Sequence, residues 1–152
     1  MIIPLQVANI AGAKRAYLRM SVRAPQIRTP LLIDAVIDTG SPYYLIVSYS
    51  ATIKSQFPFT KSRPEEIIPI GGGKIEAHSI KGSKLTVLDS EKKAVLFTPQ
   101  TIYFSVPTSK KEINKTEVYS MPNLLGTDFL EHNYIFVFNP AKNKAYIEKE
   151  EV

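Results

Sequence analysis

The chain has no cysteine among its 152 residues. Disulfide bridges and thiolate nucleophiles are therefore excluded. Histidine is scarce, and the two that occur, His78 and His132, are too far apart to suggest a zinc site. No apolar run approaches the roughly 20 residues that a membrane-spanning helix requires. The amino-terminal stretch MIIPLQVANIAGAKR has no basic segment ahead of a long apolar one and no small-residue cleavage pattern. It reads as a strand, not a signal peptide, so a soluble, cytoplasmic protein without a membrane partner is expected. Charge is only mildly one-sided, with 19 basic against 14 acidic side chains and a net charge of +5. The lysines are scattered, with pairs at Lys92-Lys93 and Lys110-Lys111 and no stripe. They read as solvated surface, and no nucleic-acid partner is expected.

What is present points to β structure. The length fits one domain, residues 1–152, large enough to bury a core without staples. Eleven prolines argue against long helices. Short apolar, β-branched and aromatic runs recur between Gly, Pro, Asn, Asp and Ser, from IIPLQVANI through PLLIDAVID, YYLIV, EIIPI, KIEAHSI and SKLTVLD to NYIFVFNP and KAYIEKE. In AYLRMSVRA, Tyr17, Arg19 and Ser21 alternate with Leu18, Met20 and Val22, the pattern of a half-buried strand. NPAKN reads as a hairpin turn. Two short helices are expected: SATIKSQF, capped by Ser48 or Ser50, and TDFLEHN, with Thr127 as N-cap and Asp128 and Glu131 in its first turn. The polar, lysine-rich stretch from Pro107 to Asn123 reads as a long surface loop. The expected class is all-β, a barrel or sandwich.

Three segments carry possible chemistry. The first is Asp38-Thr39-Gly40-Ser41, set between the apolar run Leu31 to Ile37 and a second apolar run. A carboxylate at a strand end, followed by a tight turn back into apolar sequence, is either a plain buried turn or a rigidly held acid. The second is IIPIGGGKIEAHSI, where Gly71, Gly72 and Gly73 sit between two strand-like runs. Glycine suits a tight hairpin tip and also lets a backbone approach a ligand closely. The third is NLLGTDFLEHNYIFVF, two leucines and a glycine leading at once into a short helix.

In this order and spacing the segments resemble the retropepsin-like aspartic proteases. The matching residues are Ala35 to Ser41, then Ile70-Gly71-Gly72-Gly73-Lys74, then Leu124-Leu125-Gly126-Thr127-Asp128-Phe129-Leu130, and the resemblance covers about residues 31–140. It implies a closed or partly open β-barrel with one or two short helices and a flap hairpin over the active site. It also implies an aspartic endopeptidase acting on peptides without metal or other cofactor. The chain has one Asp-Thr-Gly triplet, and Gly126-Thr127-Asp128 reverses the order, so the second catalytic aspartate must come from a twin chain. A homodimer is therefore implied by the chemistry. Two carboxyls a few ångströms apart cannot both ionise easily, so the pair holds one proton and should work best at acidic to mildly acidic pH. One Asp38 activates a water; the other hydrogen-bonds the scissile carbonyl.

The same resemblance gives roles to neighbours. The Thr39 hydroxyl should bond across the dimer axis, and the Gly40 carbonyl should accept a substrate amide. Gly71, Gly72 and Gly73 should form the flap. Val36 and Leu124 should line apolar subsites around an extended substrate. Ser41 stands where retroviral members usually have alanine, and its hydroxyl can reach the ionised aspartate. Pro42 and Thr127 occupy positions where those members pair an acidic residue with an arginine, so both halves of that ion pair are missing together. Tyr43 and Tyr44 are bulky and read as core, with the narrowing of a subsite as the alternative. Lys74 is expected to be solvated, and His78 has no assigned catalytic role. The alternatives are a weakly active or inactive module of the same fold that dimerises or binds peptides, and a basic barrel that stacks single-stranded nucleic acid on its aromatic residues.

Overall fold

A computed structural model describes residues 1–10, 12–70, 73–109, 121–131 and 134–149. In chain order the strands are β1 (Ile2–Pro4), β2 (Gln6–Ile10), β3 (Ala13–Arg23), β4 (Leu31–Ile37) and β5 (Leu45–Val47). After helix α1 (Tyr49–Lys54) come β6 (Glu66–Ile70), β7 (Gly73–Ile80), β8 (Lys84–Leu88), β9 (Ala94–Phe97), β10 (Ile102–Pro107) and β11 (Asn123–Leu125). Helix α2 (Thr127–Leu130), β12 (Tyr134–Asn139) and β13 (Lys144–Lys149) complete the fold. Among the described residues no helix is long and apolar enough to cross a membrane.

The strands form two sheets. The larger runs β6-β7-β10-β5-β11-β4-β3-β8-β9, with β2 added to β3; the smaller is β1-β13-β12. Of the expected closed or partly open barrel, the closed form is not found. Among the described residues, β6 and β9 end the larger sheet without pairing with each other. The strands nearest the termini do not close it; they build a sheet of their own.

Burial follows the sequence pattern. On β3, Leu18, Met20 and Val22 are buried while Arg19 and Arg23 are exposed, as the alternation requires. On β4 the alternation stops at Ala35-Val36-Ile37, all buried. There β4 lies between antiparallel β3 and parallel β11, with Leu124 opposite Val36. Leu45, Ile46 and Val47 on β5 are buried for the same reason, between β10 and β11. The main core gathers around Phe104, Phe129, Leu45 and Leu125. A smaller cluster of Ile46, Ile68, Ile75, Ala77 and Met121 lies under the β6–β7 hairpin.

The helix ends differ in part from expectation. Ser48 caps α1, its Oγ accepting from the Ala51 N–H at 3.3 Å. Thr127 is not a cap; it is the first residue of α2, and Gly126 holds the N-cap position. The Thr127 hydroxyl is engaged elsewhere, donating to the Ser41 carbonyl at 3.2 Å. The turn between β12 and β13 is as expected: Asn139 Oδ1 accepts from the Lys142 N–H, and Asn143 takes the left-handed conformation at φ 50°. The expected loop leaves β10 at Pro107 and re-enters at Asn123, and its residues 110–120 lie outside the described residues, as does His132.

His78 is 2 % exposed on β7. Its Nδ1 lies 3.1 Å from Ser62 Oγ, its ring meets Phe57 edge-on, and its Nε2 has no hydrogen-bond partner. Glu76 is the one acidic group within 4.0 Å among the described residues, at 3.9 Å. Burial holds the imidazole pKa below 6.5, and Glu76 opposes this only in part. The folded chain thus binds the proton less well than the unfolded chain. The stability of the neutral ring is fully present above the unfolded value of 6.5 and is lost as pH falls below it. Urea unfolding midpoints should fall between about pH 7 and about pH 5, and His78→Gln should flatten that slope. An unchanged slope in the variant would remove His78 as its source.

Candidate active site

The candidate site begins where β4 ends. The Asp38 N–H donates to the Leu125 carbonyl at 2.9 Å, which carries the β4–β11 ladder one residue past the strand. The chain then turns. The Ser41 N–H donates to the Asp38 carbonyl at 3.1 Å, and the Gly40 N–H donates to Asp38 Oδ1 at 3.0 Å. An aspartate that accepts from a backbone N–H two residues on builds its own turn. Asp38 is half-buried, while Thr39 and Gly40 are exposed at the loop's tip.

The Leu-Leu-Gly-Thr segment locks this loop from behind. The Ser41 carbonyl accepts from both the Thr127 N–H (2.8 Å) and the Thr127 hydroxyl (3.2 Å). The Gly126 N–H donates to the Tyr44 carbonyl at 3.0 Å. A Cβ on Gly126 would lie 2.1 Å from the Tyr43 carbonyl oxygen and 2.5 Å from that of Ser41. Backbone therefore touches backbone here, and no side chain fits between.

In front of the loop is a cleft of about 300 Å³, lined by Asp38, Gly40, Ser41, Pro42, Tyr43, Ile46, Ile68, Pro69 and Leu124. Asp38 brings the one carboxylate; most of the remaining wall is apolar. Ile68 and Pro69 come from β6, so the β6–β7 hairpin forms the side facing the loop. Tyr43 packs edge-on against Tyr103 at 5.2 Å. Its phenol is pushed up to about 12, chiefly by hydrogen bonding to the Glu66 carboxylate. A larger hollow of about 430 Å³ beside Tyr17 and Thr86 holds Arg19, whose Nε is paired at 2.9 Å with Asp34 Oδ1, and offers no acid–base set. Among the described residues no cluster of His, Asp and Glu could hold a metal ion.

Of the residues singled out in sequence, Asp38, Gly40, Ser41 and Leu124 meet in this cleft. Val36 does not line it; it is buried in β4 between Tyr17 and Leu124. The Ser41 hydroxyl does not reach Asp38. It is buried without a hydrogen-bond partner, and Ser41 supports the loop through its main chain instead. Gly73 pairs with Ile70 at the base of the β6–β7 turn, while Gly71 and Gly72 lie outside the described residues. Of the two tyrosines read as core, Tyr44 is buried against Phe129 and Tyr43 faces the cleft. Ile46, Ile68 and Pro69 were not foreseen. They lie in the strand-like runs YYLIV and EIIPI, and only the folded arrangement of β5 and β6 brings them beside Asp38.

No family model and no curated protein matches the chain in sequence. Solved structures resemble it in fold. The crystal structure of a retropepsin-like aspartic protease from Rickettsia conorii aligns with 98 % of this chain and 89 % of its own, at TM-score 0.56 and 17 % identity. The EIAV protease complexed with the inhibitor HBY-793 aligns with 82 % of this chain and 92 % of its own, at TM-score 0.44 and 14 % identity. The first of these shows that the chain has the retropepsin-like fold.

Gly126→Ala should destabilise the chain by on the order of 3 kcal/mol, because the displaced atoms are main chain and cannot swing aside. The shift in urea unfolding midpoint measures this. A loss below about 0.5 kcal/mol, the range of neutral surface changes, would contradict the close approach.

Proposed function

We propose that the chain is a homodimeric aspartic endopeptidase. The observation that carries this reading is a half-buried Asp38 carboxylate, fixed in a main-chain-locked loop, opening onto an apolar cleft in a retropepsin-like fold. The cleft contains one carboxylate, and peptide hydrolysis by this route needs two. Thr39 and Gly40, exposed beside Asp38, leave room for a second loop to approach along a two-fold axis.

In that dimer the two Asp38 carboxyls share one proton. The ionised member takes a proton from a water held between them, and the oxygen attacks the peptide carbonyl. The protonated member donates a hydrogen bond to the carbonyl oxygen as negative charge develops there. Proton transfer to the amide nitrogen then lets the amine leave. The substrate lies extended between the loop and the β6–β7 hairpin. Tyr43, Ile46, Ile68 and Leu124 receive an apolar side chain, and the Gly40 carbonyl accepts a peptide N–H. In this reading the β6–β7 hairpin lies over the bound chain and excludes water from it. The Thr39 hydroxyl bonds across the axis.

Incubation with a diverse peptide mixture from pH 3 to 7, read by mass spectrometry, tests this. Wild-type protein should produce new termini with an acidic optimum, and Asp38→Asn should lower the rate by about 10³-fold or more. A folded dimer that cleaves nothing at any pH would leave the same fold acting as a peptide-binding module.

A further inference from the structure

One face of the larger sheet links the β6–β7 hairpin to the loop that holds Asp38. Residues two apart on a strand share a face, and directly opposed residues on neighbouring strands share it too. On the hairpin, Glu66 lies opposite Ala77 and Ile68 opposite Ile75. Further across the sheet, Tyr103 of β10 lies opposite Ile46 of β5, and Ile46 opposite Leu124 of β11. These apolar residues make the smaller core cluster, on which Tyr43 also packs. Of the strand residues named here, Glu66 alone carries a charge.

Glu66 stands at the end of the cleft. Ile68 lines the cleft, and Glu66 is the next residue on the same face, about 7 Å back along β6. Tyr43 joins the two. Its ring lines the cleft and packs edge-on against Tyr103, and its phenol is hydrogen-bonded to the Glu66 carboxylate. The Tyr103 phenol is raised as well, by burial first and then by the charges of Glu65 and Glu66. One phenol does not saturate a carboxylate, whose two oxygens accept about four hydrogen bonds. No ion pair between described residues involves Glu66, and the residue is exposed. An acid with acceptor capacity to spare thus closes one end of an apolar wall.

We propose that Glu66 is a specificity-determining residue, which selects a lysine or arginine side chain of the peptide substrate. This rests on the endopeptidase reading above and names the substrate class of the same cleft. The methylene stem of such a side chain lies along Ile68 and the Tyr43 ring, and its charged end reaches Glu66. Charge-assisted hydrogen bonds are roughly twice as strong as neutral ones, so a cation gains more there than a neutral end of the same length. A substrate carboxylate in that place meets Glu66, with Glu65 next to it, and is repelled.

The test uses the full chain and peptides that differ at one position. A parent peptide taken from the digestion above carries lysine, norleucine or glutamate at each position around the cleaved bond in turn. Norleucine has the stem of lysine without its charge. At one position wild type should cleave the lysine peptide with a kcat/KM about 10-fold above that of the norleucine peptide, with the glutamate peptide slowest. Glu66→Gln should bring the lysine-to-norleucine ratio to within about 2-fold of one, and Glu66→Lys should turn the preference toward glutamate. A loss of fold or of overall activity cancels in the ratio, so a merely structural role for Glu66 would not move it. Equal cleavage of the lysine and norleucine peptides at every position, or an unchanged ratio in Glu66→Gln, overturns the subsite and leaves the protease standing. A protein that cleaves no peptide at all overturns the endopeptidase reading itself, and the subsite with it.

Discussion

The structure around Asp38 depends on one close approach, that of the Gly126 main chain to the carbonyls of Ser41 and Tyr43. Because Gly126 has no Cβ, β11 can slide between β4 and β5 and end against the loop that joins them. The Ser41 carbonyl then has two donors from Thr127, and the Asp38 N–H has the Leu125 carbonyl. These bonds lie at the edge of a core where an unmade partner would cost about 1–3 kcal/mol each. Two segments more than 80 residues apart in sequence thus fix one another. The carboxylate inherits its position from backbone geometry and not from side-chain contacts.

That geometry also explains why an acid can stand beside so apolar a wall. Asp38 sits one residue past the buried end of β4, where its N–H belongs to the sheet and its carboxylate is half-exposed. Burying it two residues earlier, at Val36, would strip its water without supplying donors. Here the Gly40 N–H supplies one donor, and solvent still reaches the group. The smaller core cluster, through Ile46 and Ile68, forms the opposite wall. One set of strands therefore makes both the hydrophobic support and the apolar part of the cleft.

Much of this was legible in the sequence because it depends on local pattern. The strand alternation of Leu18, Met20 and Val22, a serine cap at the start of α1 and the turn at Asn139 to Asn143 follow from residue type and spacing, while the grouping of the three glycine-bearing segments came from the family resemblance. What failed to show depended on long-range partners. Thr127 has a good capping side chain, but the helix starts at Thr127 itself with Gly126 as N-cap, and the Thr127 hydroxyl donates to the distant Ser41 carbonyl. Ser41 Oγ has the right chemistry to reach Asp38, but it is buried beside Gly126 with no hydrogen-bond partner. Val36 neighbours the triplet in sequence, yet strand pairing on both sides encloses it. Among the described residues no closed barrel forms: β13 pairs with β1 on one side and β12 on the other, in a sheet of its own, and no sequence period records that choice.

The buried neutral His78 and the proposed carboxyl pair make opposite demands on pH. The pair needs a proton and so favours acid; the imidazole, on the strand that returns from the hairpin beside the cleft, loses stability there. Association changes that balance. A second copy that binds only the folded chain stabilises it by RT ln(1 + [L]/Kd), about 2.7 kcal/mol at one hundred times the dissociation constant. In the homodimeric reading, the event that completes the pair also offsets the acid cost of His78. Folded stability at the working pH then depends on the concentration of the chain itself, and the monomer is the form that acid would unfold first.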